Sequence, residues 1–154
     1  MRATSTAEVE EHPVDSGRSG GTAGATTPPS VVLLAEDDRA MRELLTSVFT
    51  ADGYEVVEAR DGSELISHLH DLARRPHGRE SLAVVISDVR MPRLDGLDVL
   101  AALRCAHWYT PVILITAFGD EATHRDAHDF GAVAVLDKPF DLSSLRDLVR
   151  QIAV

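Results

Sequence analysis

Five polar residues of this chain lie at, or just past, the ends of short apolar runs, where their side chains could do chemistry. They are Glu36, Asp37, Asp88, Thr116 and the sole lysine, Lys138. Three carboxylates that come close together repel one another, which raises their pKa values unless a cation compensates them. Mg²⁺ held by carboxylates, water and phosphate is one such cation, and a lysine ammonium on its flexible stem is another. The set therefore predicts a site for Mg²⁺ and a phosphoryl group.

The roles of these residues follow from their functional groups. With metal bound, Asp88 is a suitable nucleophile toward phosphorus and would form an acyl phosphate. Lys138 would neutralise charge on the phosphoryl oxygens and the Thr116 hydroxyl would hydrogen-bond one of them, which is catalysis by positioning and electrostatics. Helix capping is the alternative explanation for a single acidic residue such as Asp37 or Asp88. Capping does not explain why the whole set gathers at strand ends.

The elements that must position this set alternate five times between strand and helix. Continuous apolar runs predict strands over residues 31–35, 54–59, 82–87, 111–116 and 132–136. Apolar residues three and four apart predict a helix after each strand, the first with an apolar face of Met41, Leu44, Leu45, Val48 and Phe49. Asp61 and Glu64 have capping-box spacing at the start of the second helix, and residues 74–81 are predicted to be a polar loop. This alternation predicts a parallel sheet with helices on both faces and a site beyond the carboxyl ends of its strands.

Composition narrows the class of protein. Residues 1–30 are rich in Ser, Thr, Gly, Ala and Glu and predict a disordered tail, which leaves residues 31–154 as one folded domain. The net charge of −10 argues against a nucleic-acid surface. No apolar run has the length of a bilayer span, and the N-terminus lacks a secretory signal. The single cysteine, Cys105, favours a reducing cytoplasm.

Four segments together resemble the receiver domain of bacterial two-component response regulators. They are LLAEDDRAMRELL from Leu33, VVISDVRMPRLDGLDVL from Val84, VILITAFGD from Val112 and AVLDKPF from Ala134. The combination of Asp-x-x-Met-Pro-x-x-Asp-Gly with a distant Lys-Pro is specific, and the resemblance covers the chain from residue 31 to its end. It implies a doubly wound, flavodoxin-like α/β fold whose five parallel strands have the order 2-1-3-4-5.

The resemblance also implies the chemistry of the site. Asp88 would be phosphorylated by a histidine kinase or a histidine phosphotransfer protein and would become an aspartyl phosphate. Mg²⁺ would be held by Asp37, Asp88 and the backbone carbonyl of Arg90, and through water by Glu36. The bond between Lys138 and the following proline would be cis. Such a protein is a signalling protein and not an enzyme, although it catalyses its own phosphorylation and dephosphorylation.

Three positions depart from the usual pattern of that family. Arg90 and Phe118 occupy positions that flank the path of the hydrolytic water in the family. Both side chains are bulky, so we expect slow, shielded dephosphorylation. The family's aromatic switch position, three residues before Lys138, is Val135 here. A switch that couples Thr116 to an aromatic residue in the usual form is therefore not expected.

Three other functions are less consistent with the sequence. A phosphatase with an aspartyl nucleophile typically carries a second aspartate two residues further on, where this chain has Arg90. A degenerate receiver that only binds partners would not need the complete set of site residues. Dinucleotide binding needs a glycine-rich turn after the first strand, and the residues there are EDDRAM.

The output of such a receiver is open to more than one prediction. We expect a stand-alone receiver that signals through protein contacts on its fourth helix, fifth strand and fifth helix, without direct contact to DNA or membrane. Phosphorylation would shift the population between two arrangements of that face. The alternatives are an intermediate in a phosphorelay and a fragment of a longer DNA-binding or ATPase regulator.

Overall fold

The computed structural model describes residues 30–153, so residues 1–29 of the predicted tail, which runs to residue 30, lie outside them. Five parallel strands form one sheet in the order β2-β1-β3-β4-β5. The strands are β1 (Val31–Ala35), β2 (Glu55–Ala59), β3 (Leu82–Asp88), β4 (Val112–Thr116) and β5 (Ala134–Asp137). The helices are α1 (Arg39–Ala51), α2 (Gly62–Arg74), α3 (Gly78–Ser81), α4 (Gly96–Cys105), α5 (Glu121–Asp129) and α6 (Leu142–Ile152). The fold class and the strand order implied by the resemblance are thus confirmed.

The sheet has an apolar core on each face, because neighbouring residues of a strand point to opposite sides. One core joins alternate strand residues to α2 and α4, and its members include Leu33, Val85, Leu114, Leu65 and Leu100. The other joins the remaining strand residues to α1 and α6, and its members include Leu34, Ile86, Ile113, Leu45 and Leu145. Burial on both faces explains why β1 and β4 read as unbroken apolar runs.

An aspartate begins each of the five long helices. The side chains of these N-cap residues accept a backbone N–H of the first turn; they are Asp38, Asp61, Asp95, Asp120 and Asp141. Each of these helices follows a parallel strand, so all five caps lie at the carboxyl edge of the sheet. Capping therefore accounts for five aspartates at this edge. It does not account for Asp37 or Asp88, because neither is the N-cap of a helix.

Two local predictions need correction. Residues 74–81 do not stay irregular, because Gly78 begins the short helix α3, and the predicted fourth and fifth helices are consequently α5 and α6. A side chain at residue 78 would collide with the carbonyl of Leu72, so this turn requires glycine. Asp61 caps α2 as predicted, but the Glu64 carboxylate pairs with the Arg60 side chain at 3.2 Å instead of closing a capping box.

Leu44 is the member of the predicted α1 core face that the structure does not bury. Its side chain is 49% exposed, whereas Leu45 and Phe49 are fully buried. Leu44 lies at the edge of the apolar face, where it lines an open cavity with Pro139 and Phe140 and does not reach the sheet. Periodicity alone cannot separate this position from the core.

Among residues 30–153, no helix combines the length and the apolar character that a bilayer crossing requires.

Candidate functional site

The predicted site residues meet at the carboxyl edge of the sheet. Asp88 is the last residue of β3 and Thr116 the last of β4, while Glu36 directly follows β1 and Lys138 directly follows β5. These four strands are consecutive neighbours in the sheet. Parallel pairing brings their carboxyl ends to one edge, so residues far apart in the sequence come together there.

Lys138 lies at the centre of this cluster. Its Nζ is 2.7 Å from Oδ2 of Asp88 and 3.2 Å from Oε2 of Glu36. Both carboxylates are buried, with Glu36 only 1% exposed and Asp88 5% exposed. Burial disfavours the charged ammonium, but hydrogen bonding to Asp88 and the charges of both carboxylates outweigh it, so the pKa of Lys138 is raised. The ammonium is therefore held as a cation against Asp88.

The pKa of Glu36 indicates that one lysine does not compensate the whole cluster. Burial raises the pKa of Glu36 to about 7, and the charge of Asp88 adds to this effect. Lys138 and the backbone N–H of Asp38, which donates to Glu36 at 3.2 Å, act in the opposite direction. The net rise means that the site still favours additional positive charge.

A divalent cation would supply the additional positive charge that the site favours. Glu36, Asp37 and Asp88 each offer a carboxylate oxygen, and these oxygens lie within 4.8 Å of one another. Asp37 is exposed, which leaves one side of the trio open to water. Oxygen ligands with open positions for water suit Mg²⁺, because Mg²⁺ binds few carboxylates and keeps several waters.

Two backbone contacts fix the geometry of the carboxylates. The Arg90 N–H donates to Oδ1 of Asp88 at 3.1 Å, so each oxygen of Asp88 has one donor, the other being Lys138. The guanidinium of Arg42 donates to the carbonyl of Glu36 at 2.8 Å and braces the turn that carries the acidic pair. Sequence reasoning assigned no role to Arg42. The available signal was an arginine six residues beyond Glu36 on the helix that follows.

Thr116 and Phe118 form the next layer of the site. Thr116 is fully buried, and its hydroxyl accepts the Phe118 N–H at 3.2 Å. The Phe118 ring is 68% exposed, and the Arg90 guanidinium carbon lies 5.2 Å from its centroid. At this distance the cation is attracted to the face of the ring. Arg90 and Phe118, which flank the predicted water path, thus contact each other. Both also line a cavity of about 430 Å³.

Two residues of β5, Val135 and Asp137, contact different parts of the protein. Val135 is partly buried and packs against the core on the α2 and α4 side, where an aliphatic side chain replaces the aromatic residue of the usual pattern. Oδ1 of Asp137 accepts a hydrogen bond from Nε2 of His124 in α5 at 3.1 Å, a contact that sequence reasoning missed. The Lys138–Pro139 bond is cis, as the resemblance implies.

The raised pKa of Glu36 predicts a pH-dependent stability of the metal-free protein. The unfolded carboxyl has a pKa near 4.5 and the folded one about 7, so between these values the native state holds a proton that the unfolded state has lost. This stabilisation is complete below pH 4.5 and is lost as the pH rises through 7. Its size is about 3 kcal/mol, since each pKa unit corresponds to about 1.4 kcal/mol.

Urea unfolding in EDTA at pH 5 and pH 8 measures this loss. We expect the wild-type protein to lose more stability than Glu36→Gln between the two pH values, because glutamine does not titrate. Glu43→Gln is the matched control, since Glu43 is exposed and pairs with Arg39 on the surface. Equal pH dependence in wild type and Glu36→Gln would contradict the assignment.

Comparison with known proteins yields one consistent relationship. Residues 32–150 match the model of the family described as "Response regulator receiver domain". Response regulator protein FleR of Pseudomonas aeruginosa is 42% identical over 123 residues, which cover 80% of this chain and 24% of FleR. Transcriptional regulatory protein CpxR of Escherichia coli is 36% identical over 121 residues, which cover 79% of this chain and 48% of CpxR. The chain thus spans about a quarter to a half of the length of these curated relatives.

Solved structures share the same architecture. One of them is the CheX–CheY–BeF3–Mg²⁺ complex from Borrelia burgdorferi, which aligns with a TM-score of 0.70 and 28% identity. The alignment covers 82% of this chain and 90% of the matched chain.

Proposed function

The chain belongs to the response regulator receiver domain family, and from that premise we propose that it accepts a phosphoryl group on Asp88 in a Mg²⁺-dependent reaction. The observation that carries this proposal is the Lys138 ammonium, which lies 2.7 Å from the buried Asp88 carboxylate inside a trio of acidic residues. A structural ion pair would need one carboxylate. The excess of negative charge around a single lysine is what a cation and a phosphoryl group would use.

In the proposed reaction, a carboxylate oxygen of Asp88 attacks phosphorus and forms the P–O bond of the acyl phosphate. The bond between phosphorus and the donor's nitrogen or oxygen breaks, and its electron pair leaves with the donor. The Arg90 N–H at Oδ1 and Lys138 at Oδ2 orient the carboxylate for this attack. Lys138 and the Thr116 hydroxyl then stabilise charge on the phosphoryl oxygens.

Asp37, Asp88 and the backbone carbonyl of Arg90 would hold the Mg²⁺, with Glu36 acting through water. When bound, Mg²⁺ supplies positive charge to the phosphoryl oxygens. The similar CheY from Borrelia burgdorferi, solved in a complex with CheX, BeF3 and Mg²⁺, supports this assignment. Incubation with acetyl phosphate, with and without Mg²⁺, tests it: the chain should gain the mass of one phosphoryl group only when metal is present.

The phosphodonor we propose is a histidine kinase or a histidine phosphotransfer protein in the cytoplasm. The chain then acts as a signalling protein that catalyses only its own phosphorylation and dephosphorylation. The output surface we propose is formed by α5, β5 and α6, through contacts with another protein. A phosphorelay intermediate is the second candidate, and it would pass the group from Asp88 to a histidine of a partner. We propose no direct contact between this domain and DNA.

Slow hydrolysis of the aspartyl phosphate is a separate prediction. Arg90 and Phe118 contact each other beside the site, and we expect them to restrict the approach of water to phosphorus. Replacing both residues by alanine should speed dephosphorylation about tenfold, which corresponds to a barrier lower by about 1.4 kcal/mol. The decay of the phosphorylated mass after removal of the donor measures this rate.

Phe130→Ala is the control for this prediction, because Phe130 is also an exposed phenylalanine but lies at the opposite end of α5. Its decay rate should equal that of the wild type. A wild-type lifetime as short as that of the fastest relatives would count against shielding by Arg90 and Phe118.

A further inference from the structure

The end of α2, the turn that follows it and the start of α3 concentrate positive charge in an acidic protein. Residues 74–79 contain Arg74, Arg75 and Arg79 and no carboxylate, whereas the whole chain has a net charge of −10. All three arginines are exposed. Within residues 30–153 none of them forms a salt bridge, while four other arginines do: Arg39, Arg60, Arg146 and Arg150. The nearest carboxylate in sequence, Glu80, pairs with His77 at 2.8 Å.

Arg79 lines an apolar groove between α2 and α4, and Arg74 and Arg75 directly follow Ala73, the last α2 residue that lines it. The groove encloses about 250 Å³ and is lined mainly by aliphatic side chains of the two helices and by Trp108. The Arg79 guanidinium carbon lies 4.7 Å from the Trp108 ring centroid, so the cation reaches over the floor of the groove. We call this surface the α2–α4 groove. Its apolar floor and cationic border suit a peptide that carries both aliphatic and acidic side chains.

Residues 8–15 of the same chain have this character. Their sequence, EVEEHPVD, has four carboxylates, two valines and no lysine or arginine. The linker that follows, residues 16–29, has no carboxylate and consists mainly of small residues. The acidic residues of the N-terminal region are therefore confined to one short segment.

The N-terminal region joins the folded domain at β1, beside the basic border of the groove. Val31 of β1 pairs with Leu82 of β3, and α3 ends at Ser81, directly before that strand. Neighbouring strands are about 4.8 Å apart, so the chain leaves the sheet next to residues 78–81. Fourteen residues, the number in residues 16–29, would span about 20 Å on average at the reach typical of linkers rich in Gly and Ser. Such a tether gives a local concentration in the millimolar range, at which weak docking is populated.

We propose that residues 8–15 dock in cis on the α2–α4 groove, with their carboxylates against Arg74, Arg75 and Arg79 and a valine against the aliphatic side chains of α2 and α4 that line it. This surface lies at the amino edge of the sheet, away from Asp88. The docking is therefore independent of the proposed phosphorylation, and the failure of one proposal leaves the other intact.

Cys105 allows a direct test in the full chain. It is the only cysteine, it is exposed, and it ends α4 beside the groove. A nitroxide attached to Cys105 should broaden the backbone amide NMR signals of residues 8–15. Reversing charge with Arg74→Glu and Arg75→Glu should weaken docking about tenfold, equivalent to 1.4 kcal/mol, and remove most of the broadening. Adding Glu10→Lys and Glu11→Lys to that variant should restore it.

The matched control reverses Arg39 and Arg60, two exposed arginines at the opposite edge of the sheet, and should leave the broadening unchanged. Salt provides a second readout, because screening at about 1 M shortens the Debye length to about 3 Å and should release the segment. The proposal is wrong if the wild type shows no broadening or if the Arg74 and Arg75 reversals leave it intact. It is equally wrong if broadening passes from spin-labelled chains to isotope-labelled chains in a mixed sample, because docking would then be between copies.

Discussion

Replacing Asp88 with asparagine is expected to abolish phosphoryl uptake completely. The amide nitrogen and oxygen of asparagine do not form an acyl phosphate, and among residues 30–153 no other carboxylate has the position of Asp88. Asp37 is exposed on the open side of the trio. The Glu36 side chain is only 1% exposed and, with a pKa of about 7, is protonated in a fraction of the molecules near neutral pH. Intact mass after incubation with acetyl phosphate and Mg²⁺ should therefore be unchanged.

Asp38→Asn is the matched control for this experiment. Asp38 is the next acidic residue along from the pair, and its side chain caps α1 through the Met41 N–H at 2.8 Å. Asparagine also caps helices, so this variant should fold and take up the phosphoryl group like the wild type. Phosphorylation of Asp88→Asn at the wild-type level would place the acceptor elsewhere and end the proposed function.

Lys138→Met is expected to have the largest effect on the stability of the metal-free protein. The substitution leaves Asp88 and Glu36 buried without their ammonium partner, and removal of one member of a buried ion pair costs about 3 kcal/mol or more. Part of the cost will appear as a further rise in the pKa of Glu36, because protonation is then the remaining way to reduce the repulsion. Urea unfolding in EDTA at pH 8 measures the loss, and added Mg²⁺ should recover part of it.

Two variants separate this effect from the general effect of losing a cation. Arg150→Met breaks an exposed pair with Asp147, and surface substitutions of this kind change stability by about 0.5 kcal/mol or less. Lys138→Arg keeps the charge and should retain most of the stability. A Lys138→Met protein as stable as Arg150→Met would show that the buried cluster does not depend on its lysine.

The sequence was sufficient to predict which residues meet at the site. Unbroken apolar runs indicated strands buried on both faces, and parallel strands bring their carboxyl ends to one edge. The strand order 2-1-3-4-5, which the family resemblance implied, then made Asp88, Thr116 and Lys138 neighbours. Val135 was likewise visible as a departure from the aromatic pattern. The first conclusion needs the direction of the strands and the strand order implied by the resemblance, and the second needs the sequence pattern of the family.

The pairing within the site needed the structure. Lys138 contacts Glu36 as well as Asp88, and Arg42 braces the acidic turn through a backbone carbonyl. Such contacts depend on rotamers and on distances between elements remote in sequence. The same limit applies to Leu44, whose place at the edge of the apolar face leaves it exposed. Helical periodicity predicts the direction in which a side chain points but not how far neighbouring residues bury it.

The aspartate caps have a consequence for which phosphodonors reach the site. All five lie at the carboxyl edge of the sheet, where their negative charges add to those of Glu36, Asp37 and Asp88 and are offset in part by the helix N-termini and by arginines at the same edge, such as Arg39 and Arg60. Such a field concentrates divalent cations and disfavours the approach of small anions. A free anionic donor must approach against this field, whereas a protein donor can bring basic side chains that pair with the cap carboxylates. The aspartate caps would then favour a protein phosphodonor over small anionic phosphodonors.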